Sequence, residues 1–288
     1  MKIAAAVILY HPSEEVISNI KTYYDFVDKI FVYDNTEIKT PFHDKLLEEL
    51  PKVSLNHDYE NKGISIRLND AASAAIELQY DWILTMDQDS KFSSNDISTY
   101  LSCLENYKNK ENVAMFGITY RLDKLKKKPC ESEEVDAFIT SGMLLNTRVW
   151  EKIGKFDEAL FIDSVDHEYC VRAAMAGYKN IQFKSIYLTH EIGNIVNRAS
   201  IKSLFIIKKK KEIHSPLRCY YMYRNMLYLE DKYKESNKPF SKLIRKYVVS
   251  HIKVCLLYGR NSSKIMRYIQ VARDDFKNNR MGKITSVL

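Results

Sequence analysis

Glycine is scarce in this chain, with 8 in 288 residues, and cysteine is sparse and unpaired in pattern. The turn after the first apolar run, Ile8-Leu9-Tyr10-His11-Pro12, contains no glycine. That counts against a nucleotidyltransferase, which would use a glycine-rich basic loop at this point. The five cysteines, at 103, 130, 170, 219 and 255, are far apart and form no C-x-x-C pair. Neither a disulfide framework nor a structural zinc site is expected from them, and a reducing compartment fits better. No repeat period is visible. Ile3–Tyr10 is too short to span a membrane, and no signal-peptide cleavage pattern follows it. The expected location is the cytoplasm.

What is present is a chain able to fold. Hydrophobic residues make up 45 %, with 20 tyrosines, outside the disordered range. The net charge of +7 conceals an asymmetry. Residues 1–200 carry 23 Lys/Arg against 31 Asp/Glu, a net of −8; residues 201–288 carry 21 against 6, a net of +15. A basic tail of this kind suits nucleic acid, anionic lipid or a phosphate-bearing acceptor. Nucleic acid is the weakest of these, because the body is acidic and no zinc-finger or RNP-like signature is present.

The first half alternates strand and helix signals. Ile3–Tyr10 reads as a buried strand that stops at His11-Pro12, and Ser13-Glu14-Glu15 starts a helix running to Tyr24. Lys29–Tyr33 is a second strand, ending at Asp34-Asn35-Thr36, and Val53–Leu55 a weak third. Asn61-Lys62-Gly63 is a turn before a helix over Ile64–Gln79. Trp82–Met86 is a fourth strand, running into Asp87-Gln88-Asp89. Val113–Thr119 and Ala137–Leu145 read as further strands. The alternation predicts an α/β fold with a mostly parallel central sheet and flanking helices. Ligands of such sheets sit at the carboxyl ends of the strands, where His11, Asp34, Asn35, Asp87 and Asp89 fall. After residue 200 the texture is helical and basic. Phe240, Leu243, Ile244, Tyr247, Val248, Ile252, Cys255 and Leu256 mark one face of a helix, and Lys242, Arg245, Lys246 and Lys253 the other. A second such helix covers about Ser263–Phe276. Lys208–Lys211 reads as an exposed stretch.

Asp87-x-Asp89 places two carboxylates at a strand end. Hard cations such as Mg²⁺ or Mn²⁺ prefer such oxygens and keep positions open for phosphate. The plainer alternative is a pair of turn residues closing the strand. A second acidic cluster, Asp163-Ser164-Val165-Asp166-His167-Glu168, opens a helix. It serves either as helix capping or as the source of a general base. His190 stands alone, and a lone histidine is more often structural than a ligand.

Taken in order, the motifs resemble one family. They are Leu9-Tyr10-His11-Pro12, Tyr33-Asp34-Asn35-Thr36, Asn61-Lys62-Gly63 with Asn69, Asp87-Gln88-Asp89, Ser141-Gly142, Gly154-Lys155-Phe156-Asp157-Glu158, Asp166-x-Glu168 with Arg172, His190, and Tyr221-x-Tyr223-Arg224-Asn225. Together they are similar to the family 2 inverting glycosyltransferases of GT-A (Rossmann-like) fold, most of all to the rhamnosyltransferase-type branch of bacterial surface-polysaccharide synthesis.

The resemblance implies a catalytic domain over 1–200 and a helical basic extension over 201–288, the latter a candidate for membrane-surface or homodimer contact. It implies a nucleotide-sugar donor (dTDP-rhamnose or a UDP-sugar), a glycan or lipid-diphosphate-linked acceptor, and Mn²⁺ or Mg²⁺. By position, Tyr10, His11, Pro12 and Asp34 would line the nucleobase pocket. Asn61, Gly63 and Asn69 would shape the cleft wall, and Ser141 and Gly142 the sugar and acceptor pocket. Asp87 would contact the sugar nucleotide, Asp89 and His190 the metal, and Asp166 would be the base, with Asp163 and Glu168 as fallbacks. Two residues depart from the pattern. His11 stands where many relatives have Asn, and Arg67 where they have a small residue, so Arg67 either faces the diphosphate or points outward. The location expected from this reading is the cytoplasm, with peripheral attachment to the inner face of the plasma membrane.

Overall fold

A computed structural model of the chain describes residues 1–119, 128–138, 140–189, 195–198 and 208–285. It divides into two compact units, one of Met1–Asp157 with Val165–Glu191, the other of Glu158–Ser164 with Ile192–Leu288.

The first unit is built on a nine-stranded sheet. Its opening elements are β1 (Ile3–Leu9), α1 (Glu15–Lys21), β2 (Lys29–Asp34), α2 (Phe42–Glu49), β3 (Val53–His57), α3 (Gly63–Glu77) and β4 (Trp82–Asp87). They are followed by β5 (Lys91–Phe92), α4 (Ser94–Asn106), β6 (Val113–Thr119), β7 (Ser132–Glu134), β8 (Met143–Asn146), α5 (Thr147–Ile153), α6 (Val165–Met175) and β9 (Lys179–Thr189). The order is β3-β2-β1-β4-β8-β6-β9-β5, with β7 paired to β9. β3, β2, β1 and β4 are mutually parallel. Beyond β4 the sheet is mixed, because β8 runs antiparallel to both β4 and β6 while β6 and β9 are parallel.

The sequence explains this layout. β1 is central and apolar almost without interruption, as a strand covered on both faces must be, whereas edge strand β3 alternates buried and exposed residues. The small residues Ala71, Ala72 and Ala75 of α3 are buried, which lets that helix lie close to β1 and β4. α4 starts where Ser93 Oγ accepts from the amide of Asp96, an N-cap that meets one of the helix's free donors. The core gathers Val7, Leu9, Ile30, Val32, Leu84, Met86, Phe116, Leu144, Phe183 and their neighbours.

Three local expectations change. The first helix ends at Lys21, and a separate 3-10 turn covers Tyr24–Phe26. Among the described residues, the strand expected over Ala137–Leu145 is confined to β8, because Gly142 turns the chain with φ of 73°. A Cβ at Gly142 would lie 2.5 Å from Ile118 Cδ1, so glycine is required there on space as well as on φ. Third, Cys103 and Cys130 are joined in a disulfide across 27 residues, which corrects the expectation of none; their Cα atoms stand 5.3 Å apart. The spacing hid it because the pairing depends on where α4 and the chain before β7 meet in the fold. Cys170, Cys219 and Cys255 are free and buried.

The second unit contains a ribbon of β10 (Ile195–Arg198) and β11 (Lys209–Glu212), then α7 (Pro216–Tyr233), α8 (Lys238–Tyr258) and α9 (Ser262–Lys277). α8 and α9 fall where the periodicity predicted them. α8 buries Phe240, Ile244, Val248, Ile252 and Cys255, but Leu243 and Tyr247 are exposed beside Lys242 and Lys246. The apolar face read from the sequence is therefore only partly buried. A cluster of Phe161, Tyr220, Tyr221, Tyr268, Ala272 and Ile284 forms this unit's own core.

Candidate functional site

The carboxyl ends of β1, β2, β3 and β4 bring most of the sequence candidates to one edge of the sheet. Tyr10 and His11 follow β1 in an exposed loop, their rings 4.2 Å apart. The backbone of Tyr10 is held by the side chain of Gln88, which accepts from Tyr10 N at 2.9 Å and donates to Tyr10 O at 3.2 Å. His11 takes a left-handed φ of 48° and its amide donates to Thr36 Oγ1 at 2.8 Å. Pro12 is half-buried in the same loop.

Asp34 does not present its carboxylate outward. It is 0 % exposed, accepts the Thr36 amide at 2.8 Å, and pairs with His43 Nε2 at 2.6 Å. It therefore lies in the interior, hydrogen-bonded to the equally buried Thr36. Asn61 Oδ1 accepts from Gly63 N at 3.1 Å, and Gly63 has φ of 81°, so these two shape the turn into α3. Asn69 is buried and exchanges two hydrogen bonds with the backbone of Phe156, at 2.8 and 3.0 Å. It braces the wall from inside.

Arg67 does not point outward. It is 1 % exposed, grips Asp58 through both terminal nitrogens at 3.1 and 2.5 Å, and donates to Glu60 O at 3.0 Å and Asn35 Oδ1 at 2.9 Å. Asn35 in turn donates to Gly63 O at 3.1 Å, and its amide donates to Leu9 O at 2.8 Å. One buried guanidinium thus ties together the exits of β1, β2 and β3 and the start of α3. The Asp58 carboxyl is held well below the usual range by Arg67 and Lys62, against the opposing effect of burial.

The two acidic candidates are joined by one short segment. Thr140 donates to Asp166 Oδ2 through its amide at 3.1 Å and its hydroxyl at 3.3 Å. The next residue, Ser141, accepts from the amide of Asp87 at 3.0 Å and donates to Ser90 Oγ at 2.8 Å. Gly142 N then donates to Thr85 O at 2.7 Å. Asp87 and Asp89 are half-buried at the end of β4, and their oxygens are the hard donors that Mn²⁺ or Mg²⁺ takes. The donor chemistry of the pair fits such an ion. His190 lies outside the described residues.

Asp166 opens α6, where the helix dipole favours a carboxylate. Burial alone would raise its pKa. The charge of His167, with that residue's ring and amide hydrogen bonds at 2.9 Å each, outweighs burial and lowers it. The two fallback carboxylates are engaged elsewhere. Glu168 is fully buried and forked by Arg172 at 3.0 and 3.0 Å, and Asp163 is bound by Arg218 at 3.0 Å.

Sequence reasoning did not single out Gln88, Thr140, His43, His57 or the Asp58–Arg67 pair. Among the described residues, Asp34, His43 and His57 form an Asp/His group whose ligand atoms lie within 4.8 Å of one another, close enough to share an ion.

Comparison with known proteins places this architecture. Residues 1–349 of S. aureus TarS in complex with UDP-GlcNAc superpose with a TM-score of 0.53 at 10 % identity, over 97 % of this chain and 93 % of that one. GalNAc-T7 with UDP, GalNAc and Mn²⁺ superposes with a TM-score of 0.54 at 11 % identity, over 66 % of this chain and 44 % of that one. The chain has the GT-A glycosyltransferase fold, so the α/β architecture read from the sequence is borne out. No protein-family model matches it. In sequence it is 28 % identical over 282 residues to dTDP-rhamnosyl transferase RfbF of Shigella flexneri, covering 91 % of this chain and 90 % of the relative. The rhamnosyltransferase-like resemblance carried by the ordered motifs is borne out by that relative.

Proposed function

We propose that the protein transfers a sugar from a nucleotide-sugar donor to a hydroxyl of a glycan or lipid-diphosphate-linked acceptor, with inversion at the anomeric carbon. The observation that carries this reading is the Thr140-Ser141 segment, which hydrogen-bonds Asp166 on one side and the Asp87-Gln88-Asp89-Ser90 strand end on the other. A base and a diphosphate-binding carboxylate pair are thereby held in fixed register, the preorganisation that a displacement needs.

Asp166, kept ionised by its neighbours, accepts the proton of the acceptor hydroxyl. The acceptor oxygen forms the new bond to the anomeric carbon while the bond from that carbon to the diphosphate oxygen breaks on the opposite face. Asp89, with Asp87 beside it, would hold Mn²⁺ or Mg²⁺, which when bound neutralises charge on the diphosphate. Tyr10, His11 and Pro12 cover the nucleobase of the donor, with Asp34 supporting that loop through Thr36. Asn61 and Gly63 shape the adjoining turn.

Two observations support the choice of donor. The relative is named for dTDP-rhamnose, which makes dTDP-rhamnose the first candidate, and the superposed structures hold UDP or UDP-GlcNAc, which keeps UDP-sugars in view. The exposed face of α8, where Leu243 and Tyr247 stand among Lys242 and Lys246, suits an anionic membrane surface carrying a lipid-linked acceptor. Among the described residues no helix is long and apolar enough to cross a membrane.

The test is a panel of nucleotide sugars with Mn²⁺, read by thermal stabilisation and by nucleotide released on adding acceptor. A rise in Tm with dTDP-rhamnose or a UDP-sugar, together with sugar-dependent nucleotide release, is the expected result. A chain stabilised by none of them is not a glycosyltransferase of this kind.

A further inference from the structure

The parallel register sets Asp34, the last residue of β2, opposite His57, the last residue of β3. Neighbouring positions in register put their side chains on the same face of the sheet. His43, in the first turn of α2, reaches the same point and packs its ring 4.5 Å from that of His57. A carboxylate oxygen and one nitrogen from each imidazole consequently lie within 4.8 Å of one another, contributed by three different elements.

From this arrangement we propose that Asp34, His43 and His57 form a binding site for a transition ion of the Zn²⁺ class. Two imidazoles and one carboxylate are the donors such an ion takes, whereas the all-oxygen pair Asp87 and Asp89 suits Mn²⁺ or Mg²⁺. The cluster's ligand atoms are close enough for small side-chain adjustments to bring them onto metal bonds of about 2.0–2.2 Å.

Burial argues in the same direction. The side chains of Asp34 and His43 are 0 % and 4 % exposed. A carboxylate so enclosed requires a compensating charge, and a divalent ion supplies one while leaving both imidazoles neutral. The surroundings also resemble the outer layer of a metal site, in which partners fix the orientation of the ligands. Thr36 N donates to Asp34 Oδ1 at 2.8 Å, and His57 Nε2 lies 2.7 Å from Thr36 O.

The competing arrangement is a metal-free Asp34–His43 pair bridged by a proton at 2.6 Å. An ion here would tie the ends of β2 and β3 to α2, directly under Thr36, whose hydroxyl holds the His11 amide. The inference does not rest on the glycosyl-transfer reading.

The experiment uses the full chain, stripped with chelator and dialysed, with no nucleotide present. Zn²⁺ is titrated by calorimetry, and Co²⁺ is added to follow the visible absorption of an imidazole-ligated site. Wild type is expected to bind one equivalent of Zn²⁺, with a rise in Tm. His57→Gln and His43→Gln are each expected to weaken that binding at least tenfold, and Asp89→Asn to leave it unchanged. His57 is only half-buried, so its variant remains informative if the His43 variant fails to fold, with circular dichroism as the check. Absence of Zn²⁺ binding to wild type, undiminished binding in His57→Gln, or loss of binding in Asp89→Asn would each overturn the proposal. The first outcome would leave the proton-bridged pair as the correct description.

Discussion

The side chain of Gln88 extends the pairing of β1 and β4 against the backbone of Tyr10, accepting from its amide at 2.9 Å and donating to its carbonyl at 3.2 Å. A primary amide carries N–H donors beside an acceptor oxygen, so here it copies the pairing of one more residue between β1 and β4. The middle residue of Asp87-Gln88-Asp89 is therefore the brace of the Tyr10-His11 loop. Asn19 Nδ2 fixes the strand end in turn by donating to Gln88 O at 2.9 Å. Gln88→Ala is expected to raise the KM for donor several-fold with kcat nearly unchanged. Its Tm should fall little, because the contact is exposed and a neutral hydrogen bond nets about 1 kcal/mol. Calorimetric titration with nucleotide checks this, and an unaltered affinity would remove the loop from the donor site.

The Asp58–Arg67 pair gives a pH dependence with a definite sign. The Asp58 carboxyl is lowered in the fold, so its contribution to stability is complete above the ordinary aspartate value of about 4 and is lost as pH falls below that. Asp58→Asn leaves the buried Arg67 guanidinium without its counter-charge. The cost at pH 7 is expected to be up to about 3–5 kcal/mol, the range for breaking a buried pair, with the lower part of the range favoured because Asp58 is 32 % exposed. Urea denaturation from pH 7 to pH 3 should show a steep acid decline in wild type and a flatter one in the variant. Parallel curves would mean that the pair carries no linkage.

Asp166 and His167 make a kinetic prediction. Burial would raise the Asp166 carboxyl, and His167 more than offsets it by charge and hydrogen bonding. The acid limb of kcat should accordingly lie below the ordinary aspartate range, leaving the base ionised throughout neutral pH. His167→Gln removes the charge, so the limb should move towards neutral pH while donor affinity is retained. Asp166→Asn should abolish transfer and still bind donor. Near-wild-type turnover in Asp166→Asn would take the base role away from this residue.

The readable part of the fold was the part governed by continuous apolar runs or helical periodicity. β1, β2 and β4 end within a residue or two of where their hydrophobic stretches stop, and α8 and α9 follow their 3.6-residue pattern. Strand ends in a parallel sheet are also where ligands collect, so Asp87 and Asp89 stood out. What escaped depended on long-range pairing. β9, the longest strand, pairs with β6, β7 and β5, and nothing local in Lys179–Thr189 announces three partners. Asn69 carries a family-like motif position yet is spent on Phe156, 87 residues away. Arg67 has a charged side chain that sequence alone sends either towards the diphosphate or outward, and only the packing of Asp58 and Asn35 around it explains its burial. Leu243 and Tyr247 matched the apolar stripe of α8 but lie beyond the arc that the other helices cover.

Asn225, the last residue of the Tyr221-x-Tyr223-Arg224-Asn225 motif, gives that motif a role within the second unit. Its Nδ2 donates to the carbonyls of Ile162 at 2.8 Å and Asp163 at 2.9 Å, while Phe161 stacks on Tyr221 with ring centroids 5.2 Å apart. The clamped segment ends in two consecutive left-handed residues, Asp163 with φ of 66° and Ser164 with φ of 67°. Neither is glycine, and a non-glycine residue in this region costs roughly 1–2 kcal/mol. The clamp offsets that strain three residues before Asp166 in the chain. Asn225→Ala should leave two carbonyls short of a donor and lower stability by about 1–3 kcal/mol, with faster hydrogen exchange over 158–165. Ser164→Gly relieves the φ strain and should recover part of that loss in the double variant. If Ser164→Gly instead destabilises the wild-type background, the left-handed turn is not where the strain is held.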